Sequence, residues 1–277
     1  MMASIRTIDA AAFRELSQFI HFKSGILLDE TKHYLIETRL GPLLEELEVD
    51  SYIELCRMAG RDRRVLNRLL DEISTNETSW FRDKSPFDLF KFKLLPDLMD
   101  RLHGKPDSIS IWSAASSTGQ EVYSLAMTAD EILPAAAMER MRITGTDISD
   151  AAIRRASVGH YSDFEIDRGL PPALRDKYFI RADNGWRVND RLRSMVMFKQ
   201  FNLLDSLITL GSVDIVFCRN VAIYFDLPTR KQLFERIARQ IKPGGALVIG
   251  SSETLHGVTD HFERHEHMRS SYYIPKY

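Results

Sequence analysis

The sequence has few cysteines and no long apolar segment. Its 277 residues include two cysteines, Cys56 and Cys218, which are far apart and have no partners at metal-ligand spacing. This excludes a disulfide framework and fits a reducing compartment. No apolar run approaches the roughly 20 residues that a membrane-spanning helix needs. The start, M-M-A-S-I-R-T-I-D, lacks the apolar region of a secretory signal. We therefore expect a cytoplasmic globular protein without membrane insertion.

The sequence also lacks an excess of charge of one sign. It has 37 Lys and Arg against 39 Asp and Glu, a formal net charge of −2. This balance does not suggest a nucleic-acid partner. His261 and His265 have helical metal spacing but lie where we expect a final strand pair, so we predict no metal site. With 44% hydrophobic residues, the chain is able to bury one large core or two modest ones.

The first part of the chain is predicted to be a helical domain, residues 1–75. Apolar residues recur at helical spacing, Asp9 is a candidate N-cap, and Gly25 is a candidate helix end. Residues 76–107 are predicted to be a linker and a helix that joins the domains. We see no strand pattern in residues 1–75.

From residue 108 the pattern changes to alternating strands and helices. Apolar strands at 108–115, 142–147, 213–218 and 246–251 predict a parallel sheet covered on both faces. We assign residues 108–277 to this α/β domain, with a small antiparallel β-subdomain inserted at about 175–200. Asn184-Gly185 predicts a hairpin with a type I′ turn. The run M-V-M-F-K-Q-F, 195–201, is expected to pair with that hairpin before it joins the main sheet.

Ligands of open α/β sheets bind beyond the carboxyl ends of the strands. The first such end reads A-A-S-S-T-G-Q-E, 114–121, where Gly119 is predicted to let a ligand approach the backbone. A single glycine is not the G-x-G-x-x-G of dinucleotide sites, and Glu121 suits a cationic amine or sulfonium better than a pyrophosphate. Asp147, at the end of the second strand, is the expected partner of ribose hydroxyls. The alternatives are a plain β-α turn for this loop and a helix N-cap for Asp147.

Two more polar segments belong to the predicted site. The segment T-N-E-T-S-W-F-R-D, residues 75–83, places polar side chains and two aromatic residues between two predicted helices. We expect the two aromatic residues to be exposed. The segment is either a capped turn or a ligand-contacting junction. At later strand ends, the amide of Asn202 is predicted to contact an adenine edge, and Arg219, Asn220 and Tyr224 lie where substrate would meet cofactor.

Four motifs occur in a fixed order: T-N-E-T-S-W-F-R-D, I-W-S-A-A-S-S-T-G-Q-E-V-Y-S-L-A-M, G-T-D-I-S and I-V-F-C-R-N-V-A-I-Y-F-D. With them the chain resembles the CheR-type chemotaxis receptor methyltransferases over almost its whole length. The resemblance implies an α/β fold, a Rossmann-like class I S-adenosylmethionine-dependent methyltransferase sheet with an N-terminal helical domain and an inserted β-subdomain. It also implies methyl transfer from S-adenosylmethionine to glutamates of bacterial chemoreceptors, giving glutamyl methyl esters and S-adenosylhomocysteine.

The resemblance also implies roles for individual residues. It places Arg82 and Tyr224 at the substrate carboxylate. At the cofactor it places Asn76, Thr78, Arg82, Glu121, Asp147, Asn202, Leu203, Arg219 and Asn220. A glutamate carboxylate is ionised at neutral pH and needs no general base, so the enzyme only has to position it and remove its water. The lack of a Ser-His-Asp or metal set is therefore expected.

The predicted partner is the cytoplasmic helical domain of chemoreceptors. Five arginines, Arg57, Arg61, Arg63, Arg64 and Arg68, are either a solvated helix face or a docking surface for an acidic receptor. Some members of the family grip a receptor C-terminal pentapeptide with a longer hairpin loop. The short Asp183-Asn184-Gly185 turn predicts recognition without that tether. Two alternatives stay open, a carboxylate methyltransferase that acts on another signalling protein and a catalytically idle S-adenosylmethionine-binding module.

Overall fold

The N-terminal part of the protein is helical, as the apolar spacing predicts. The computed structural model describes residues 7–102 and 107–277. Residues 1–6, in the predicted helical domain, and 103–106, in the predicted linker, lie outside the described residues. The first four α-helices described are α1 (Ala10–Ser24), α2 (His33–Glu46), α3 (Tyr52–Arg61) and α4 (Arg63–Ile73).

Side-chain caps and apolar faces explain these helices. Asp9 accepts hydrogen bonds from the N–H groups of Ala11 and Ala12 and so begins α1. Gly25 ends that helix with a φ of 77°, a conformation that glycine adopts without strain. The buried faces of the four helices share one apolar core, which includes Leu16 and Leu69.

Strands alternate with helices in the rest of the chain. The helices are α5 (Ser85–Leu89), α6 (Leu95–Arg101), α7 (Gln120–Ile132), α8 (Ala135–Arg140), α9 (Asp150–Val158), α10 (Asp163–Asp167), α11 (Pro172–Tyr178), α12 (Asp190–Arg193) and α13 (Leu227–Gln240). The strands are β1 (Ile109–Ala114), β2 (Met141–Asp147), β3 (His160–Tyr161), β4 (Phe179–Ala182), β5 (Gly185–Val188), β6 (Val196–Gln200), β7 (Val213–Cys218), β8 (Ile241–Ile249), β9 (Phe262–His267) and β10 (Ser270–Pro275). Within 7–102 and 107–277, none of the helices combines the length and apolar character of a membrane span.

Seven strands form the main sheet, in the order β6-β2-β1-β7-β8-β10-β9. Neighbours from β6 to β8 are parallel, whereas β10 and β9 form an antiparallel edge. Apolar cores cover both faces, with Ile111 and Phe217 in one and Trp112 and Val216 in the other. This confirms the predicted parallel sheet with continuous apolar strands.

A small antiparallel sheet, β3-β5-β4, is inserted between α9 and β6. The predicted hairpin is β4 and β5, joined by Asp183 and Asn184. The predicted type I′ turn is wrong, because only Gly185, the first residue of β5, has a positive φ there. The prediction that 195–201 pairs with the hairpin is also wrong, since β6 pairs with β2 of the main sheet. Gly145 of β2 leaves the space that the ring of Phe198 fills, because a Cβ at Gly145 would lie 2.8 Å from that ring.

Candidate active site

A cleft lies at the carboxyl ends of β1, β2, β6 and β7 and reaches the end of α1. Its volume is about 900 Å³, including the open mouth, within the range of ligand sites. All ten predicted site residues line this cleft: Asn76, Thr78, Arg82, Glu121, Asp147, Asn202, Leu203, Arg219, Asn220 and Tyr224. The fold therefore brings together residues from five separate segments of the chain.

The loop between β1 and α7 has a strained backbone. Ala115 and Ser117 have positive φ values of 58° and 51°, each costing of order 1 kcal/mol. Ser117 helps to hold this shape, because its hydroxyl donates to the carbonyl of Asn76 at 2.8 Å. The predicted role of Gly119 in ligand approach is not supported. A Cβ there would lie 2.9 Å from the Cβ of Ala156, so the glycine makes room for protein.

Asp147 is a buried carboxylate of the cleft, 6% exposed at the end of β2. Its oxygens accept hydrogen bonds from the N–H groups of Ser117 at 2.8 Å and Ser149 at 2.9 Å. Burial raises the pKa of this carboxyl group, and the backbone hydrogen bonds oppose part of the rise. Ser149 caps α9 through the N–H of Ala152, so Asp147 is not the N-cap. A carboxylate has about four acceptor positions, so capacity for a ligand remains.

Arg219 is the centre of a buried charge cluster, with its side chain 2% exposed. One terminal nitrogen donates to Oε2 of Glu121 at 2.7 Å. The other donates to Oδ2 of Asp83 at 2.8 Å and to the carbonyl of Arg82 at 2.9 Å. The guanidinium also lies 5.6 Å from the centroid of the Phe87 ring. Its Nε–H has no hydrogen-bond partner among the described residues, which leaves one donor in the cleft wall.

The loop after β6 is held from two sides. The amide nitrogen of Asn202 donates to the carbonyl of Lys23 at 2.7 Å, and its oxygen accepts the N–H of Leu204 at 3.0 Å. The side chain of Asn202 therefore joins the end of α1 to this loop. Its predicted contact with an adenine ring stays a prediction. Arg236 of α13 donates to the carbonyl of Leu203 at 2.7 Å and so fixes the other side of the loop.

Arg82 and Tyr224 reach the cleft from two different loops. Arg82 donates to the carbonyl of Glu77 at 3.0 Å, a bond inside its own loop. Tyr224 lies in a 3₁₀ turn and is 37% exposed. Its backbone carbonyl accepts the N–H of Leu27 at 2.8 Å, which ties this turn to the segment after α1. The helical part of the chain thus supports the wall that carries Tyr224.

Comparison with known proteins decides the family. Residues 11–74 match the model described as CheR methyltransferase, all-alpha domain, and residues 76–271 match CheR methyltransferase, SAM binding domain. The chain is 40% identical over 267 residues to a chemotaxis protein methyltransferase of Vibrio parahaemolyticus, covering 93% of this chain and 94% of the relative. It is 38% identical over 258 residues to chemotaxis protein methyltransferase 1 of Pseudomonas aeruginosa, covering 91% and 93%.

The chain belongs to the CheR methyltransferase family.

Membership of the CheR family confirms four predictions, and the first is that the protein is a methyltransferase. The family is the one that the four motifs resemble. The fold is an α/β S-adenosylmethionine-dependent methyltransferase domain with an N-terminal all-alpha domain and a small antiparallel sheet. The cofactor is S-adenosylmethionine. The roles of individual cleft residues stay predictions.

One expectation about the first CheR motif is wrong. Trp80 is buried, not exposed. Its ring packs edge-on against Tyr161 at 4.8 Å and Phe179 at 5.2 Å between centroids. Burying so large an apolar surface fixes the motif against the small sheet. The polar residues Asn76 and Thr78 on either side of this anchor line the cleft.

Sequence reasoning missed several residues around this CheR cleft. Ser24 and Ile26 line it from the end of α1, which no local pattern indicates. Glu253 was also missed. Its Oε2 accepts the N–H groups of Asn220 and Gly250, both at 2.7 Å, and so joins the ends of β7 and β8. The sequence offered one indication of this role, because the carboxylate of Glu253 follows a buried-strand pattern that ends near Gly250.

Proposed function

We propose that the protein methylates glutamate side chains in the cytoplasmic helical domain of bacterial chemoreceptors and forms glutamyl methyl esters. The observation that carries this proposal is the cleft itself. It combines two carboxylates, Glu121 and Asp147, with Arg82 and Tyr224 at one end of a methyltransferase sheet. The first pair suits a cationic nucleoside cofactor, and the second pair suits an anionic substrate.

The cleft residues fit S-adenosylmethionine. Asp147 would accept hydrogen bonds from the ribose hydroxyls, and Glu121 would face the cationic end of the methionine part. Two buried polar atoms of the cleft residues, Oγ of Ser116 and Nε of Arg219, have no partner in the described part of the chain. A ligand rich in hydrogen-bonding groups would satisfy them, as buried polar groups require.

The reaction requires little of the protein beyond positioning the substrate carboxylate and the cofactor. When bound, S-adenosylmethionine would supply a methyl group on a positively charged sulfur to an oxygen of the substrate carboxylate and would leave as neutral S-adenosylhomocysteine. No proton moves, so no general base is needed. Arg82 and Tyr224 would align the carboxylate by hydrogen bonds, and closure of the cleft by the receptor would remove its water.

Methylation of purified chemoreceptor cytoplasmic domains with methyl-labelled S-adenosylmethionine tests this proposal. We expect label in the receptor that is released as methanol by mild base, because carboxyl methyl esters are base-labile. A base-stable methylated product would point to nitrogen as the acceptor and contradict the proposal. Binding of S-adenosylhomocysteine without transfer to any receptor would favour a catalytically idle module.

The arginines of α3 and α4 would steer the receptor to the cleft. Arg57, Arg61, Arg63 and Arg64 are exposed. Arg68 differs, because both its terminal nitrogens donate to the carboxylate of Glu46, at 2.6 and 2.7 Å. Its charge is therefore largely neutralised, and the free positive charge lies at the junction of α3 and α4. Charge of this kind attracts an acidic partner at a rate that falls with salt.

Charge reversal at Arg61, Arg63 and Arg64 tests the docking surface. We expect a lower rate of receptor methylation at low salt, with S-adenosylhomocysteine affinity unchanged. Arg239→Glu, at the end of α13, is the control, because that residue lies outside the cleft lining. Receptor methylation that is indifferent to the triple reversal would exclude this surface.

Recognition would not need a C-terminal receptor peptide. Strand β4 is an edge of the small sheet, but the loop to β5 has only Asp183 and Asn184 between paired residues. So short a loop leaves no segment to close over an added peptide strand. Calorimetric titration with the receptor's C-terminal pentapeptide should show no binding, and a tight complex would contradict this part of the proposal.

A further inference from the structure

Asp83 is the last residue of the T-N-E-T-S-W-F-R-D motif and lies just outside the cleft lining. Its carboxylate accepts a hydrogen bond from Arg219 at 2.8 Å. The same nitrogen of Arg219 donates to the carbonyl of Arg82 at 2.9 Å. One guanidinium therefore holds two consecutive residues of the motif against the sheet.

The backbone of this segment is strained and needs to be held. Phe81, Asp83 and Lys84 all have positive φ values, 49°, 67° and 46°. Residues other than glycine keep such values only where the surroundings enforce them. The contacts that hold them include the bonds to Arg219, the bond from the N–H of Phe81 to Oγ of Ser124 at 3.2 Å and the bond from the N–H of Lys84 to the carbonyl of Phe81 at 2.8 Å.

The charges explain why an acid is needed at Asp83. Arg219 carries one positive charge and is buried between Glu121 and Asp83, two negative charges, so this cluster has a formal charge of −1. Without Asp83, Glu121 would be the one carboxylate of this cluster left to pair with the charge of Arg219. With Asp83, Arg219 is shared, and Glu121 keeps negative charge toward the cleft.

We propose that Asp83 is a positioning residue for methyl transfer, which acts through Arg219 on both Arg82 and Glu121. The inference rests on the proposed function for its kinetic part and on the cleft geometry alone for its binding part. Removing Asp83 frees Arg219 to turn toward Glu121 and releases the strained segment that carries Arg82. Displacement of a positioned group by about 1 Å can lower a rate by about 10²-fold.

Asp83→Asn and Asp88→Asn make a matched pair. Asp88 lies five residues further along, and its carboxylate pairs with Lys84 at 2.5 Å instead of Arg219. We expect Asp83→Asn to weaken S-adenosylhomocysteine binding by about fivefold to tenfold and to lower receptor methylation kcat by about 10²-fold. Asp88→Asn should leave both within about twofold. Asp83→Glu, which restores the charge, should recover most of the binding.

A double-substitution cycle separates positioning from a purely structural role. If Asp83 acts in part through Arg82, adding Asp83→Asn to Arg82→Ala should lower kcat by much less than about 10²-fold, because only the route through Glu121 is left. If the kcat losses of the two single variants simply multiply in the double variant, the proposal is overturned. It is also overturned if Asp83→Asn lowers the melting temperature but leaves kcat and S-adenosylhomocysteine affinity normal. Asp83→Ser offers the same comparison if Asp83→Asn does not fold. Should the unsubstituted protein methylate no receptor, the proposed function fails, and the affinity comparison still decides the role of Asp83.

Discussion

The two ends of strand β7 carry two buried charge clusters that differ in one respect. At the amino end, Asp214 is 1% exposed and accepts hydrogen bonds from Arg101 at 2.8 Å, Lys242 at 2.9 Å and the N–H of Ser110 at 2.9 Å. Just past the carboxyl end, Arg219 is almost equally buried, yet its Nε–H has no partner among the described residues.

The backbone also differs between the two ends of β7. Near the carboxyl end, Asn220, Ala115 and Ser117 have positive φ values, whereas the described residues with positive φ near the amino end are the glycines Gly211 and Gly244, which adopt it without strain. A fully satisfied cluster stabilises the fold, whereas a partly satisfied one on strained loops keeps hydrogen-bonding capacity for a ligand. We infer that β7 separates a structural end of the sheet from a functional one.

Removing Asp214 should have the largest effect on stability. Asp214→Ala would remove the shared partner of Arg101 and Lys242, whose side chains are 26% and 31% exposed, and would leave the N–H of Ser110 without an acceptor, so we expect a loss of about 1–3 kcal/mol. Urea unfolding followed by circular dichroism measures this loss. The folded fraction should bind S-adenosylhomocysteine normally by calorimetry. Weakened binding in the folded protein would show that the two ends are not separate.

The opposite pattern is expected at Arg82. Arg82→Ala should lower receptor methylation by at least about 10²-fold, because the substrate carboxylate loses an aligned partner. The melting temperature should change by only a few degrees, since the hydrogen bond that this side chain makes within residues 7–102 and 107–277 joins it to its own loop, at the carbonyl of Glu77. Arg82→Lys should rescue only in part, because an ammonium does not reproduce a planar guanidinium. Normal melting together with near-normal transfer would remove Arg82 from the site.

Asp147 gives a smaller and more specific effect. Asp147→Ala should weaken S-adenosylhomocysteine binding by about 1.5–3 kcal/mol through loss of hydrogen bonds to a carboxylate. Calorimetry measures this, with NAD as a control ligand that should give no heat with the unsubstituted protein. Clear heat with NAD and none with S-adenosylhomocysteine would contradict the assignment of the cleft.

The buried state of Asp147 also predicts a pH dependence of ligand binding. Burial raises the pKa of this carboxyl group, so it takes up a proton at a higher pH than an ordinary aspartate does. Affinity for S-adenosylhomocysteine should therefore fall as the pH is lowered through that raised pKa. Asp147→Asn, whose side chain does not titrate, is the control. It should bind S-adenosylhomocysteine more weakly than the unsubstituted protein, and its affinity should not fall as the pH is lowered. Equal pH profiles for the two proteins would exclude Asp147 as the group involved.

The sequence predicted the parts of this molecule that local pattern encodes. Strand ends locate Glu121, Asp147 and Arg219, because the carboxyl ends of parallel strands meet at one edge of a sheet. It did not predict that Asn202 binds the carbonyl of Lys23, since that contact joins residues 179 positions apart. Nor did it place Trp80, whose burial depends on a small sheet formed much later in the chain.

Pairing was harder to predict than the strands themselves. The run that forms β6 reads as a strand, but its partner depends on a glycine in β2 that accommodates Phe198. The role of Asp83 was missed for a similar reason. The negative charge of Asp83 acts on Arg219, which lies 136 positions away in the sequence.

The smallest expected effect concerns the two cysteines, which report on opening near and far from the cleft. Cys218 ends β7 beside Arg219 and is fully buried, and burial, with Glu253 and Glu121 nearby, raises the pKa of its thiol. Burial raises the pKa of Cys56, in α3, to about 12. Only thiolates react readily with iodoacetamide, so both should be labelled slowly at pH 8. Since strained segments open locally at lower free energy than the core, saturating S-adenosylhomocysteine should slow labelling of Cys218 more than that of Cys56. Equal protection of both thiols would mean that labelling follows global unfolding, and the carboxyl end of β7 would then be no more mobile than the rest of the fold.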